Sequence, residues 1–189
     1  MKKRSQVLII TGAVIVIFLM YLFSLYNGLV KAEENVSSKW SQVENQLQRR
    51  ADLIPNLVNT VKGYAKHEKE ILEKLAEARS KLINSKTVED KAKADEELSG
   101  LLSRLLVIVE NYPDLKADRT FTMLMDELSG TENRIAVARK DYNDAVMSYN
   151  TRIKVFPTVV IARLFGFEPK PYFRAQESAN QVPKVDFSQ

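Results

Sequence analysis

Apolar residues along this chain form one continuous run and then a periodic pattern. From Ser5 to Val30 no residue is charged, and Val7 to Leu25 is almost wholly apolar. At about 1.5 Å per residue, roughly 19 residues of helix cross the ~30 Å hydrocarbon core of a bilayer. Beyond that run the apolar positions recur at alternating steps of four and three. Counted from Val36 they are Trp40, Val43, Leu47, Ile54, Leu57, Val61, Tyr64, Ile71, Leu75, Ala78 and Leu82, with Arg50 and Glu68 as polar exceptions. Ala51, Val58 and Leu72 widen the stripe, as a bundle helix requires. This spacing predicts one long amphipathic helix with Trp40 and Leu47 in the core. Pro55 should kink it, because its ring presses on the carbonyl of Ala51. Gly63 weakens the helix by about 1 kcal/mol relative to alanine, so a division into two helices stays open.

A turn is expected at Asn84 to Lys86. Thr87 followed by Asp90 resembles a capping box with Asp in place of Glu. Leu98, Leu102, Leu105, Val109 and Tyr112 then share one helical face with Leu101 and Ile108 beside it, and Pro113 ends that helix. Asp118 is placed to cap a third helix. Its seam runs through Phe121, Leu124, Leu128, Thr131, Ile135, Ala138, Tyr142, Ala145, Tyr149, Arg152 and Phe156. Pro157 and Gly166 bracket a short segment, Thr158 to Phe165. Phe167, Tyr172 and Phe173 belong to a tail expected to lie along the helices. No segment alternates with period two. The fold class is therefore all-α: an N-terminal transmembrane helix, then an antiparallel four-helix bundle with a long kinked first helix. The expected division is residues 1–6 as a short N-terminus, 7–25 as the span, 26–166 as the helical domain and 167–189 as an extended tail.

Charge changes the picture mainly at the membrane. The formal net charge is +4, from 28 basic and 24 acidic residues. Lys2, Lys3 and Arg4 account for three of the basic residues, leaving 25 against 24 for the rest of the chain. A pI near 9.2 is thus a property of the flank, and nucleic acid is not an expected partner. The same three charges place the N-terminus in the cytoplasm by the positive-inside bias, with the helical domain extracellular or periplasmic. Val30-Lys31-Ala32 offers a weak signal-peptidase site, but the apolar run exceeds the ~7–15 residues of a signal-peptide core. The expected location is the cell membrane, by a single pass, with Val7–Leu25 in contact with the bilayer.

Candidate chemistry is sparse. Cysteine is absent, which removes disulfides and thiolate chemistry. His67-Glu68 begins like a zincin helix motif, but position 71 is Ile and His67 is the only histidine. No Glu-x-x-His pair marks a di-iron bundle. Glu70–Lys74, Glu77–Lys81 and Glu89–Lys93 have the spacing of i,i+4 ion pairs. Neither a Gly-rich phosphate loop nor a nucleophile constellation occurs, so no enzyme, cofactor or metal is expected. Polar residues on or beside the apolar seams are more informative: Arg50, Asn56, Glu68, Thr131, Asn133, Asn143, Asn150 and Arg152. Either they satisfy one another and fix helix register, the commoner case, or they form a polar groove for a partner. With Arg134, which neighbours Asn133, the residues Arg50, Asn56, Glu68, Asn133, Asn143 and Asn150 are the candidate partner-binding set.

Three blocks carry a resemblance: Arg49-Arg50-Ala51-Asp52-Leu53-Ile54-Pro55-Asn56-Leu57-Val58, Asn111-Tyr112-Pro113-Asp114-Leu115-Lys116 and Gly130-Thr131-Glu132-Asn133-Arg134-Ile135. With Val61-Lys62-Gly63-Tyr64, Arg139, Tyr142-Asn143 and Tyr149-Asn150, the chain strongly resembles the bacterial LemA family. Ser85 to Glu97 and the tail after Ala175 are not placed by it. The resemblance implies a membrane-anchored antiparallel four-helix bundle without established enzymatic activity. It also implies roles tied to membrane-embedded proteases, stress responses or membrane organisation. The expected function is a non-enzymatic adaptor or scaffold with an envelope protein partner, a membrane protease being one class. The alternative is a homo-oligomer that organises or remodels the membrane.

Overall fold

The computed structural model describes residues 2–65 and 67–174. Among the described residues there are six helices and no strand: α1 (Lys2–Tyr64), α2 (Lys69–Asn84), α3 (Val88–Val109), α4 (Pro113–Lys116), α5 (Arg119–Arg152) and α6 (Thr158–Phe165). The N-terminal apolar run is the first part of α1. That helix is long and apolar enough to cross a membrane, and every described side chain from Ile9 to Tyr21 is exposed. Among the described residues Leu29 is the first that is fully buried.

The long periodic helix is two helices. α1 runs through Pro55 and ends at Tyr64, and α2 begins at Lys69, so the stripe from Val36 to Val61 belongs to one and Ile71 to Leu82 to the other. Their buried residues keep the expected frame, but Tyr64 is exposed and Glu68 only half-buried where the helix stops. Leu47 is core, whereas Trp40 is half-buried with its ring 5.2 Å from that of Tyr142.

Pro55 survives inside α1 for an identifiable reason. A proline has no N–H for the carbonyl four residues back, which leaves that oxygen orphaned. Here the oxygen is Ala51 O, and Arg79 Nε of α2 donates to it at 2.8 Å. The neighbouring helix supplies the missing donor.

Helix ends follow the sequence closely. Thr87 Oγ1 accepts from Asp90 N at 3.0 Å, and Asp118 Oδ1 accepts from Phe121 N at 2.8 Å. Pro113 sits in the first turn of α4. Gly166 closes α6 at φ 73°, the left-handed conformation that glycine adopts without a Cβ penalty. The α5 seam stops earlier than expected. Its helix ends at Arg152, and Phe156 is 82% exposed.

By packing, the chain divides into two units. One combines α1 up to Trp40 with Asp141–Lys170, and the other combines Ser41–Lys140 with the stretch from Pro171. In the second unit the pairings fix direction. Arg49 faces Glu127 and Tyr64 faces Asp118, so α1 and α5 run oppositely. Glu44 with Lys91 and Arg50 with Asp95 make α1 and α3 parallel. Lys81 with Glu97 closes the α2–α3 turn. The extended tail is described as far as Arg174, where Phe173 is buried beneath the Arg139 guanidinium, 4.6 Å from its ring centroid. Residues 175–189 of the expected tail lie outside the described residues.

Candidate functional site

The most charged interior of the molecule centres on Arg50. A seam position buries it, and its side chain is only 4% exposed. Nη1 donates to Asp95 Oδ1 at 2.7 Å, and Nη2 donates to Ser99 Oγ at 2.9 Å. Ser99 in turn donates to the Asp95 carbonyl at 2.9 Å. Glu132 Oε2 also lies 2.7 Å from Nη1 but has no aligned N–H, so its contact is Coulombic. Arg139 Nη1 approaches Asp95 Oδ2 at 4.0 Å. Two cations thus meet two carboxylates, with α1, α3 and α5 each contributing. Burial pushes the Asp95 carboxyl above the usual carboxylate range, opposed by Arg50 and reinforced by Glu132.

Beside this cluster, Glu127 pairs with two arginines. Arg49 Nη2 stands 2.6 Å from Oε1, and Arg134 Nη2 donates to the same oxygen at 3.0 Å. Arg134 also donates to Thr131 Oγ1 at 3.0 Å, and the buried Thr131 hydroxyl donates to Glu127 O. The Arg49-Arg50 block and the Gly130-to-Ile135 block therefore meet across α1 and α5. Where α1 ends, Tyr64 donates to Asp118 Oδ2 at 2.8 Å and Tyr112 donates to Glu68 Oε1 at 2.9 Å. These bonds raise both tyrosine hydroxyls above their ordinary pKa. The Phe121 backbone N–H and then Tyr64 hold Asp118 below its own.

In the other unit most of the ties run to the main chain. Asn150 Nδ2 donates to Lys170 O and Asn150 Oδ1 accepts from Lys170 N, both at 2.9 Å. Tyr149 donates to Glu168 O at 3.0 Å. Burial, aided by Glu33 and Glu168, pushes that hydroxyl up to about 12, so it stays a donor throughout the neutral range. Lys170 Nζ adds an ion pair to Glu33 at 2.6 Å, and Arg152 Nη1 donates to Gly28 O at 2.9 Å. The segment after α6 is thus held both by its main chain and by the Lys170 side chain.

Of the seven candidate residues, Asn143 and Asn150 belong to the first unit and the other five to the second. Arg50 is in the buried cluster, Arg134 on its own helix face, and Glu68 in the break between α1 and α2. Asn143 is half-buried, and Asn150 holds the tail. Asn56 and Asn133 are exposed. Sequence reasoning missed Asp95 and Arg79. Asp95 carried a usable signal, since it lies three residues before Leu98 and hence on the α3 seam. Arg79 carried none, because a side chain that serves a backbone oxygen leaves no pattern. Among the described residues no group of three or more acidic, histidine or cysteine residues is arranged to hold a metal.

Comparison with known proteins places this architecture among relatives. The LemA family model matches residues 39–187. Magnetosome protein MamQ 2 of Paramagnetospirillum magneticum is 28% identical over 204 residues, which cover 94% of this chain and 75% of the relative. Magnetosome protein MamQ of Magnetospirillum gryphiswaldense is 27% identical over 197 residues, covering 90% and 72%. Protein LemA of Metamycoplasma hominis is 27% identical over 165 residues, covering 85% and 72%.

Proposed function

Because the chain belongs to the LemA family, we propose that it acts without catalysis, as a membrane-anchored adaptor or scaffold that presents its helices to an envelope protein. The apolar start of α1 is the anchor in this reading, with the N-terminus cytoplasmic. A membrane-embedded protease is one class of partner. The observation that carries the proposal is how the polar residues of the characteristic blocks are used. Arg49, Arg50, Glu132, Arg134 and Asn150 bond to other helices, to their own helix or to the tail backbone. Chemistry spent on register supports a rigid presenting surface more than a reacting one. Asn56 and Asn133 belong to the same blocks and face outward, so they are the positions assigned to the partner.

The test is a photo-crosslinking residue at Asn56 or Asn133 in the full chain, activated in native cell membranes. The expected result is a discrete, reproducible adduct with one envelope protein. Asn56→Ala and Asn133→Ala should then abolish recovery of that protein while leaving thermal unfolding unchanged. Absence of any reproducible adduct from either position overturns the proposal. A second reading, a membrane-organising homo-oligomer, is favoured by Met123 and Val137, which are 61% and 63% exposed on α5. Mass photometry in detergent that finds only monomer removes it.

A further inference from the structure

The short helix α6 carries more apolar surface outward than its size requires. Thr158, Ile161 and Ala162 are buried against the protein. Val160 and Leu164, one turn apart and therefore on a common face, are 56% and 74% exposed. Phe165 is 58% exposed, and Val155 and Phe156 in the preceding turn are 47% and 82% exposed. Five large apolar side chains so clustered mark a surface meant to be covered, unlike apolar residues scattered singly.

Position identifies the cover. The Tyr26 ring lies 4.9 Å from that of Phe165 and 5.9 Å from that of Phe167. Arg152, at the end of α5, donates to the Gly28 carbonyl. Tyr26 and Gly28 follow Leu25 by one and three residues, which is about 2–5 Å along the helix axis. The apolar face of α6 therefore stands beside the point where α1 leaves the hydrocarbon. Aromatic rings favour that depth. Arg152, Lys154 and Arg163 are exposed around the patch, where they suit anionic headgroups. Of the nearby acids Glu33 is held by Lys170, while Glu34 and Glu168 are exposed and outnumbered by these three bases.

We propose that α6 and the turn before it form a second membrane contact. In this arrangement Phe156, Val160, Leu164 and Phe165 enter the headgroup–acyl boundary of the leaflet from which α1 emerges. This rests on the reading of Val7–Leu25 as a transmembrane span. A helix with one apolar face and basic residues around it lies in that plane without crossing it.

The natural absence of cysteine makes the test direct. Single variants Leu164→Cys, Phe18→Cys and Val107→Cys of the full chain each receive an environment-sensitive fluorophore. They are reconstituted in phosphatidylcholine–phosphatidylglycerol vesicles with nitroxides at defined lipid depths. All three positions are exposed, so labelling should not disturb packing. The expected result is deep quenching at Phe18, shallow-acyl quenching with a blue-shifted emission at Leu164, and a water-like emission at Val107. A deeply quenched Phe18 with a water-like Leu164 overturns the second contact and leaves the anchor standing. A water-like Phe18 overturns both. A blue-shifted Leu164 that no lipid nitroxide quenches means that protein covers the patch, and this also overturns the proposal.

Discussion

The two packing units are fastened by different chemistry. Between Ser41 and Lys140 the fastening is charged and buried, with Arg50 between Asp95 and Glu132. Between Asp141 and Lys170 it is led by a neutral amide that reads a peptide unit, with the Lys170–Glu33 pair beside it. Burying ions costs several kcal/mol each before their attraction returns it, so the first arrangement is poor value as glue. It is strict about register, however. A shift in α1, α3 or α5 would strand a charge in the core. The Asn150 clasp costs little and holds one segment, with a net contribution of about 0.5–1.5 kcal/mol per bond. The difference teaches that helix order is set where charges are buried, and that the segment after α6 is held by bonds of lower consequence.

The largest effect should come from breaking the charged fastening. Arg50→Ala leaves two carboxylates facing each other and should cost about 3–5 kcal/mol, read as a lowered unfolding midpoint of the full chain in detergent. Combining Arg50→Met with Asp95→Leu should recover most of that loss, because no buried charge is then left unpaired. A single variant that melts like the parent would remove the contrast altogether. Next in size is the neutral fastening. Asn150→Ala should cost about 1–3 kcal/mol by orphaning the Lys170 N–H and carbonyl. Its signature should be local, with faster hydrogen exchange at Lys170 and unchanged exchange in α3. Equal acceleration in both places would show that the two fastenings are not separable.

The smallest effect concerns pH. Asp95 binds its proton more tightly folded than unfolded, so its contribution favours the folded state below the ordinary carboxylate pKa of about 4. That contribution is lost as pH rises through the elevated folded value. Stability of the parent relative to Asp95→Asn should therefore fall as pH rises through the window just above 4. The parent relative to Asn150→Ala should show no such slope there, since an amide does not titrate. A parent that gains on Asp95→Asn with rising pH would mean that Arg50 outweighs burial.

Much of this was legible because it depends on local rules. Thr87 and Asp118 cap where their spacing to the next backbone N–H allows, and Gly166 stops α6 because a left-handed residue is cheapest without a Cβ. The buried phase of α1, α3 and α5 follows directly from the spacing of Leu47, Leu98 and Ile135. The break between α1 and α2 was not legible in the stripe. The frame of apolar residues passes from Val61 to Ile71 in phase, and periodicity cannot distinguish a helix that continues from one that stops and folds back. Of the two interruptions, Gly63 lies one residue before the end of α1, whereas the helix runs through Pro55, whose orphan carbonyl is served by Arg79 from another helix. Of the candidate residues, Arg50 was legible as an anomaly, a charge where neighbours are apolar. Its counter-ion Asp95 lay in the stretch that the family resemblance did not place.

The pairing of Pro55 with Arg79 also constrains the order in which this sequence can change. While the proline stands, the arginine is the sole donor described for the Ala51 carbonyl, and losing it first exposes a buried acceptor. Once the proline is replaced, the helix can supply that donor from its own backbone and the arginine becomes dispensable. One order of substitution passes through a damaged intermediate and the other does not. The two positions are thus coupled energetically, although they lie in different helices and share no chemical type.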